Sequence, residues 1–175
     1  MISRLATLFL ALLLSCSAAH AVDLNACFEN AARRRNISVD LLRAIGHVES
    51  RFRPWVTNTE SGAIGVMQIM PIHLKWLRKY GIDRDDLYDG CTNINVGAFV
   101  LADMIRMFGP TWRAVGAYGA GIAPNKERAR LGYANLVRTS LQRLTRQDST
   151  SVLPVATRAT TSPAFPPRPK MVVDQ

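Results

Sequence analysis

Cysteine and histidine are scarce in this sequence, and neither occurs in a pattern typical of a metal or redox site. Three of the 175 residues are cysteines and three are histidines. There is no H-E-x-x-H and no C-x-x-C, which excludes the usual helical zinc motif and a thioredoxin-like redox pair. The P-loop and the G-x-S-x-G motif are also absent, so nucleotide-phosphate and serine-triad chemistry find no support. We predict no metal and no cofactor.

Long apolar runs are missing too, except at the N-terminus. No later stretch reaches the roughly 18 uncharged apolar residues that a membrane span requires. Residues 1–21 place Arg4 before an apolar run over 5–14 and end in A-H-A, the pattern of a signal-peptidase site. This segment predicts a secretory signal peptide and a periplasmic protein. A membrane anchor, a buried N-terminal helix and a lipoprotein acylated at Cys16 stay open as alternatives.

The odd number of cysteines is explained once Cys16 is assigned to the signal segment. Cys27 and Cys91 then remain as a pair. In an oxidising compartment they can form one disulfide, and closing so long a loop contributes about 4 kcal/mol. The alternative is two unrelated buried thiols.

Acidic residues are the minority charge, with 13 against 22 lysines and arginines and a net charge of +9. Removing residues 1–21 takes away only Arg4 and leaves +8. A basic exported chain implies an anionic partner, which outside the cytosol is cell-wall polymer or a membrane surface. The alternative is a charged surface that only aids solubility. Arg33, Arg34 and Arg35 have no interleaved aromatic residues, so we predict no nucleic-acid partner.

The composition divides the remaining chain into one domain and a tail. Residues 148–175 are rich in Ser, Thr and Pro without apolar periodicity, which predicts a disordered tail. The folded domain is therefore predicted over 22–147, and its signals are helical. Strand signals are confined to 55–64, so the fold class is mainly α with at most a minor β element. The predicted helices are 23–32 and 38–50, capped by Asp23 and Ser38, then 72–80, 95–108, a short helix capped by Thr111, and 124–146.

Glu49 is the first candidate for chemistry, because it lies at the C-terminal end of an otherwise apolar helix. Apolar surroundings and the negative end of the helix dipole both disfavour a carboxylate, so its pKa should be raised. Arg51 and Arg53 would oppose that shift if they pointed inward. A carboxyl group that stays protonated near neutral pH can act as the general acid in glycosidic cleavage. His47 and His73 are interpreted as structural residues.

Four blocks accompany this glutamate along the chain. Glu49-Ser50 is followed by G-A-I-G-V-M-Q-I-M-P at 62–71, by N-I-N-V-G at 93–97 and by A-Y-G-A-G at 117–121. In this order and spacing the blocks resemble the catalytic domain of the soluble lytic transglycosylases, a lysozyme-like fold. Flanking similarity extends the match over about 26–137. Cys27 and the segment 91–94 further resemble the small transglycosylases that accompany secretion, conjugation and pilus machines.

The resemblance implies roles for particular residues. Glu49 matches the single catalytic acid/base, Ser50 the residue that supports its orientation, and Gln68 a residue that lines the sugar-binding cleft. Asn58 falls near a family serine that contacts the N-acetyl group, although the loop here carries one extra residue.

Two tyrosines and one glycine complete the implied site. Tyr118 and Tyr133 resemble the family's active-site tyrosines, with Tyr133 the one that hydrogen-bonds Glu49. Aromatic packing at a helix junction is the alternative for both. The family's asparagine in A-Y-N-A-G is Gly119 here, which removes a side chain with up to three hydrogen bonds and puts substrate positioning in question.

The activity implied by the resemblance is cleavage of peptidoglycan between N-acetylmuramic acid and N-acetylglucosamine, with formation of 1,6-anhydromuramic ends and with one carboxylate. Ordinary glycosidases use two carboxylates. The nearby candidate for a second one is Glu60, which lies in a polar turn and is interpreted as solvated. The implied partners are peptidoglycan strands and components of an envelope-spanning machine. The alternatives are a hydrolytic muramidase on the same fold and a non-enzymatic wall-binding module.

Overall fold

The computed structural model describes residues 23–151, with side chains through residue 147. The predicted signal peptide, Cys16 and nearly all of the predicted tail lie outside this range. Within it the fold is mainly α, as predicted, and the isolated β-bridges Thr57 to Ile64 and Ile64 to Ile69 are the described β structure. The α-helices are α1 (Leu24–Arg35), α2 (Val39–Ser50), α3 (Leu74–Leu77), α4 (Gly90–Phe108), α5 (Trp112–Ala120) and α6 (Glu127–Ser151).

Side-chain caps set the starts of the helices. Asp23 accepts from the backbone N–H of Asn25 at 2.9 Å and begins α1, and Ser38 begins α2. Thr111 caps α5. These three caps were predicted, because short polar side chains satisfy the free N–H groups of a first helical turn.

Several helix boundaries differ from the prediction: α1 ends at Arg35 instead of 32, and α6 begins at Glu127 after a 3₁₀ turn over Pro124–Lys126. Helix α4 begins at Gly90 instead of residue 95, since Asp89 caps it by accepting from the N–H of Thr92 at 2.8 Å. The segment 72–80 is a single α-helical turn, α3, between two 3₁₀ turns, Pro71–His73 and Arg78–Tyr80. Helix α6 reaches Ser151 instead of 146 and so enters the predicted tail, because no proline interrupts it before residue 154.

Helix α2 lies at the centre of the domain. It packs against α1 and α6, while α1 packs on α4 and α5 lies between α4 and α6. Leu42, Ala44 and Ile45 of α2 have no exposed surface. This apolar face of α2 is therefore buried in the core, and it places Glu49 at the core's edge.

A disulfide joins Cys27 of α1 to Cys91 in the first turn of α4, as predicted. The two cysteines are 64 residues apart in sequence and their Cα atoms lie 5.1 Å apart. The bond therefore closes a long loop that contains α2 and the segment after it. None of the helices within 23–151 is long and apolar enough to cross a membrane.

Candidate active site

Glu49 faces a cavity of about 340 Å³ between the end of α2, the segment 58–73, the middle of α4 and the end of α5. Seven of the eleven lining residues belong to three of the four blocks that the sequence singled out, and the block 93–97 contributes none. They are Glu49, Asn58, Ser61, Ala63, Gln68, Ile69, Met70, His73, Val100, Tyr118 and Gly119. Glu49 is the one carboxyl group among them.

The surroundings of Glu49 favour its protonated form. Burial raises the pKa of this carboxyl from its ordinary value of 4.5 to about 7, and the hydrogen bond from Tyr133 partly opposes the shift. Arg51 and Arg53 do not counter it: both are exposed, and the Nε of Arg53 donates to the carbonyl oxygen of Ser50 at 2.7 Å. Near neutral pH the carboxyl can therefore both give and take a proton.

Tyr133 and Tyr118 approach the site with different hydrogen bonds. The hydroxyl of Tyr133 on α6 donates to Oε1 of Glu49 at 2.5 Å. The hydroxyl of Tyr118 on α5 donates to the carbonyl oxygen of Met67 at 2.8 Å. Burial and the nearby Glu49 raise the pKa of both phenols, so both stay protonated. Tyr133 therefore contacts the acid directly, whereas Tyr118 holds the backbone beside it.

Ser50 acts on the segment opposite Glu49. Its side chain is buried, with 2% exposed, and its Oγ donates to the carbonyl oxygen of Val66 at 2.9 Å. The same oxygen accepts from the N–H of Arg53 at 2.9 Å. Ser50 thus ties the end of α2 to the 64–69 turn and fixes the distance between Glu49 and that wall of the cavity.

Asn93 organises the 64–69 turn from beneath, a role that the sequence did not reveal. Its side chain is fully buried; Oδ1 accepts from the N–H of Met67 at 2.7 Å, and Nδ2 donates to the carbonyl oxygens of Ile64 and Leu87, each at 2.8 Å. Gly65 has φ of +77°, and a Cβ there would lie 2.3 Å from this amide. Only glycine fits so close to the buried asparagine.

Gln68 lines the cavity, where the resemblance placed it. Its backbone is left-handed, with φ of +49°, a conformation that is costly for a residue with a side chain. Nε2 donates to the carbonyl oxygens of Gly65 at 3.0 Å and Val56 at 3.3 Å. With both amide hydrogens used by the protein, Oε1 is the atom that remains to accept a hydrogen bond from a ligand.

Asn58 also lines the cavity, but its side chain is engaged in the local turn. Oδ1 accepts from the N–H groups of Glu60 and Ser61, both at 2.9 Å. This turn places Ser61 in the cavity wall, a residue that the sequence prediction missed. Glu60 itself is exposed and does not line the cavity. The part of the cavity wall formed by Asn58 and Ser61 therefore offers amide and hydroxyl groups and, among the described residues, no second carboxylate.

His73 is a second lining residue that the sequence interpretation treated as structural. The indole N–H of Trp76 donates to its Nδ1 at 3.1 Å, so the neutral ring carries its proton on Nε2. Burial lowers the pKa of His73, with an opposing effect of Asp103. His47 lies away from the cavity, its Nδ1 3.1 Å from Oγ of Ser140.

Gly119 lies directly against the ring of Tyr133. A Cβ at this position would be 2.2 Å from two ring carbons and 2.6 Å from a third. Such distances are impossible, so any side chain here would displace the ring whose hydroxyl reaches Glu49. Glycine in place of the family's asparagine therefore leaves the space that the ring of Tyr133 occupies in this chain.

The fold and the cavity with its single acid define a lysozyme-like glycan-cleaving domain, and the comparisons with known proteins name its class. The family model of the transglycosylase SLT domain matches residues 26–137. The chain belongs to this family, that of the lytic transglycosylases.

Two relatives and one solved structure show how far the similarity extends. The invasion protein IagB of Salmonella typhimurium is 37% identical over 122 residues, which cover 67% of this chain and 76% of IagB. Protein IpgF of Shigella flexneri is 39% identical over 112 residues, covering 62% of this chain and 74% of IpgF. An inactive mutant of the lytic transglycosylase Slt from Pseudomonas aeruginosa superposes with a TM-score of 0.59 and 25% identity. That match covers 74% of this chain but 25% of Slt.

Proposed function

We propose that this protein is an exported lytic transglycosylase that cleaves the β-1,4 bond between N-acetylmuramic acid and N-acetylglucosamine and leaves 1,6-anhydromuramic ends. The observation that carries the proposal is Glu49: within residues 23–151 it is the one carboxyl group lining the cavity, its pKa is raised to about 7, and Tyr133 donates a hydrogen bond to it. A single acid that is protonated near neutral pH suits a reaction in which one group first donates and then accepts the proton.

In the first step Glu49 donates its proton to the bridging oxygen, and the bond from that oxygen to C1 of the muramic acid breaks. The substrate's own acetamido oxygen stabilises the positive charge at C1. In the second step the Glu49 carboxylate takes the proton from the C6 hydroxyl, and O6 bonds to C1. Glu49 is protonated again at the end, and no water is consumed.

The other lining groups support this sequence of proton transfers. Tyr133 stabilises the carboxylate that forms between the two steps, because a hydrogen bond to the charged form favours it. Oε1 of Gln68 and the hydroxyl of Ser61 face the cavity as groups able to bind sugar hydroxyl and acetamido groups. Among the residues that the structure describes, no second carboxylate lines the cavity to activate a water molecule, which favours the anhydro product over hydrolysis.

Mass analysis of digested peptidoglycan tests the proposal. Purified peptidoglycan treated with the protein should yield muropeptides with anhydromuramic ends, each lighter by one water than its hydrolytic counterpart. Reducing ends would instead establish a hydrolytic muramidase. No release of muropeptides would support a wall-binding module without activity. Glu49→Gln serves as the negative control.

We further propose that the enzyme acts in the periplasm and opens local gaps in the wall for an envelope-spanning machine. The support is the apolar N-terminal segment with its A-H-A end, the disulfide and the similarity to the invasion protein IagB. Cell fractionation should find the protein in the periplasm in an oxidised form. Recovery in the cytoplasm with reduced cysteines would contradict this.

A further inference from the structure

A second groove, of about 510 Å³, lies beside the active-site cavity. It runs between the end of α1, the α3 region and one face of α4. Three aromatic side chains, Trp76, Tyr80 and Phe99, form much of its wall, and Arg34 and Arg35 lie along its edge. We call it the basic groove. No aspartate or glutamate lines it within the described part of the chain.

The basic groove and the active-site cavity share a wall. Trp76 lines the groove, and its indole N–H donates to His73, which lines the cavity. On α4, Phe99 faces the groove and the next residue, Val100, faces the cavity. The rings of Trp76 and Phe99 are 5.1 Å apart and close the wall. The cavity and the basic groove therefore lie on opposite sides of this wall, and a branched ligand can occupy both by crossing over its rim.

The two arginines have unused hydrogen-bonding capacity. Arg34 and Arg35 are exposed, and among the described residues neither forms an ion pair. The guanidinium of Arg35 lies 5.0 Å from the centre of the Phe99 ring, which holds it at the groove by a cation–π contact. Both arginines lie in the last turn of α1, where a cation is stabilised by the helix dipole. This interaction does not use the N–H donors of their guanidinium groups. Guanidinium groups bind carboxylates in a two-point geometry.

Resting on the proposed function, we propose that the basic groove binds the carboxylates of the peptide attached to the muramic acid of the substrate. Peptidoglycan strands carry such short acidic peptides on their muramic acid residues. With the glycan in the cavity, a peptide that branches from it can reach across the wall at Trp76. Its carboxylates then meet Arg34 and Arg35, and its apolar atoms pack on Tyr80 and Phe99. The enzyme thereby distinguishes peptide-bearing strands from bare glycan.

The test compares two substrates for one pair of variants. The full chain with Arg34→Gln and Arg35→Gln is assayed on intact peptidoglycan and on glycan strands whose peptides an amidase has removed. The matched control carries Arg128→Gln and Arg143→Gln, two exposed arginines of α6 with the same change in net charge. We expect the ratio of the two rates, intact over stripped, to fall about tenfold in the groove variant, because two exposed charge contacts are lost. The control should keep the wild-type ratio.

The outcomes separate this proposal from the proposed function. An unchanged ratio in the groove variant, or an equal fall in the control, would overturn peptide recognition, and an acidic protein segment would become the ligand to test. If wild type cleaved neither substrate, the proposed function would fail instead. A binding assay makes the groove testable even then: in a Glu49→Gln background, free stem peptide should compete with intact peptidoglycan for the protein, and the groove variant should lose this competition.

Discussion

Glu49 and Glu127 each occupy the terminal turn of a helix, yet their surroundings are opposite. Glu49 lies at the end of α2, where burial raises its pKa to about 7 and a phenol is its partner. Glu127 begins α6, where hydrogen bonds from Arg113 and Arg130 lower its pKa. The helix dipole reinforces both effects, since a carboxylate is disfavoured at a C-terminus and favoured at an N-terminus.

The difference teaches what each carboxyl group can do. Glu127 is permanently charged and pairs with Arg130, which is 1% exposed and also donates to the carbonyl oxygens of Gly121 and Ala123 at 2.9 Å and 2.6 Å. This cluster holds the connection between α5 and α6 and so positions Tyr133 two turns further along α6. Glu49 has no cation and keeps a proton to exchange. One glutamate builds the site and the other supplies its chemistry.

Exchanging each carboxyl for an amide gives the largest expected contrast. Glu49→Gln should lower kcat/KM for release of muropeptides by at least about 1,000-fold, because Glu49 is the one carboxyl group among the described lining residues and the lowered pKa of His73 keeps that ring neutral. Glu127→Gln keeps an oxygen that can accept from Arg130, and its activity should stay within about twofold of wild type. Circular dichroism checks that both variants fold. Comparable losses of kcat/KM in the two variants would contradict the assignment of the chemistry to Glu49 alone.

Stability as a function of pH separates wild type from Glu49→Gln. The pKa of Glu49 is raised by folding, so the folded state binds its proton more tightly than the unfolded state. The resulting stabilisation is complete below pH 4.5 and is lost as the pH rises through about 7. Between these limits, wild type should lose roughly 3 kcal/mol of unfolding free energy relative to Glu49→Gln. Urea unfolding below pH 4.5 and above pH 7 measures the unfolding free energy of both proteins. If the free energies of wild type and Glu49→Gln changed equally with pH, the raised pKa would be contradicted.

Tyr133→Phe tests the hydrogen-bond partner of Glu49. This phenol donates to Glu49, whereas arginines donate to Glu127. Loss of the hydroxyl removes the hydrogen bond that lowers the pKa of Glu49, so the alkaline limb of the kcat/KM profile should move to higher pH. At the optimum the rate should fall about tenfold, since the carboxylate intermediate state loses a charged hydrogen bond. A limb that stayed in place would show that the phenol does not act on Glu49.

Gly119→Ala should reproduce part of that loss, through the ring of Tyr133. The new methyl group displaces the ring, and we expect kcat/KM to fall about fivefold. Gly132→Ala is the matched control, because a Cβ there meets nothing within 4 Å. The double variant with Tyr133→Phe should be no slower than Tyr133→Phe alone. Fully additive losses would mean that Gly119 acts independently of the tyrosine.

Local patterns in the sequence were enough to predict much of the site. The apolar stripe of α2 and the polar residues after it placed Glu49 at a helix end next to the core, and the polar caps predicted where three helices begin. The cysteine count predicted the disulfide. The start of α4 was missed because Asp89 lies before a glycine, which is a poor helix former, so the capping signal was overlooked.

Other features depend on contacts between distant residues and could not be read from local patterns. Asn93 bonds to Ile64, 29 residues earlier, and so shapes the turn that carries Gln68. Ser61 and His73 enter the cavity only because the segment 58–73 folds beside Glu49 at the end of α2. The fit between Gly119 and the ring of Tyr133 likewise exists only after α5 has packed on α6.

The sequence by itself determined the helical fold, the single acid at the end of an apolar helix and the cysteine pair, because periodicity, caps and residue counts are local properties. The sequence also predicted that the pKa of this acid is raised, but only the tertiary structure decided that it reaches about 7 while the pKa of Glu127 is lowered. The pKa of a carboxyl depends on how much water and which charges surround it. Those surroundings come from helices far apart in sequence: Tyr133 of α6 meets Glu49 of α2 across 84 residues.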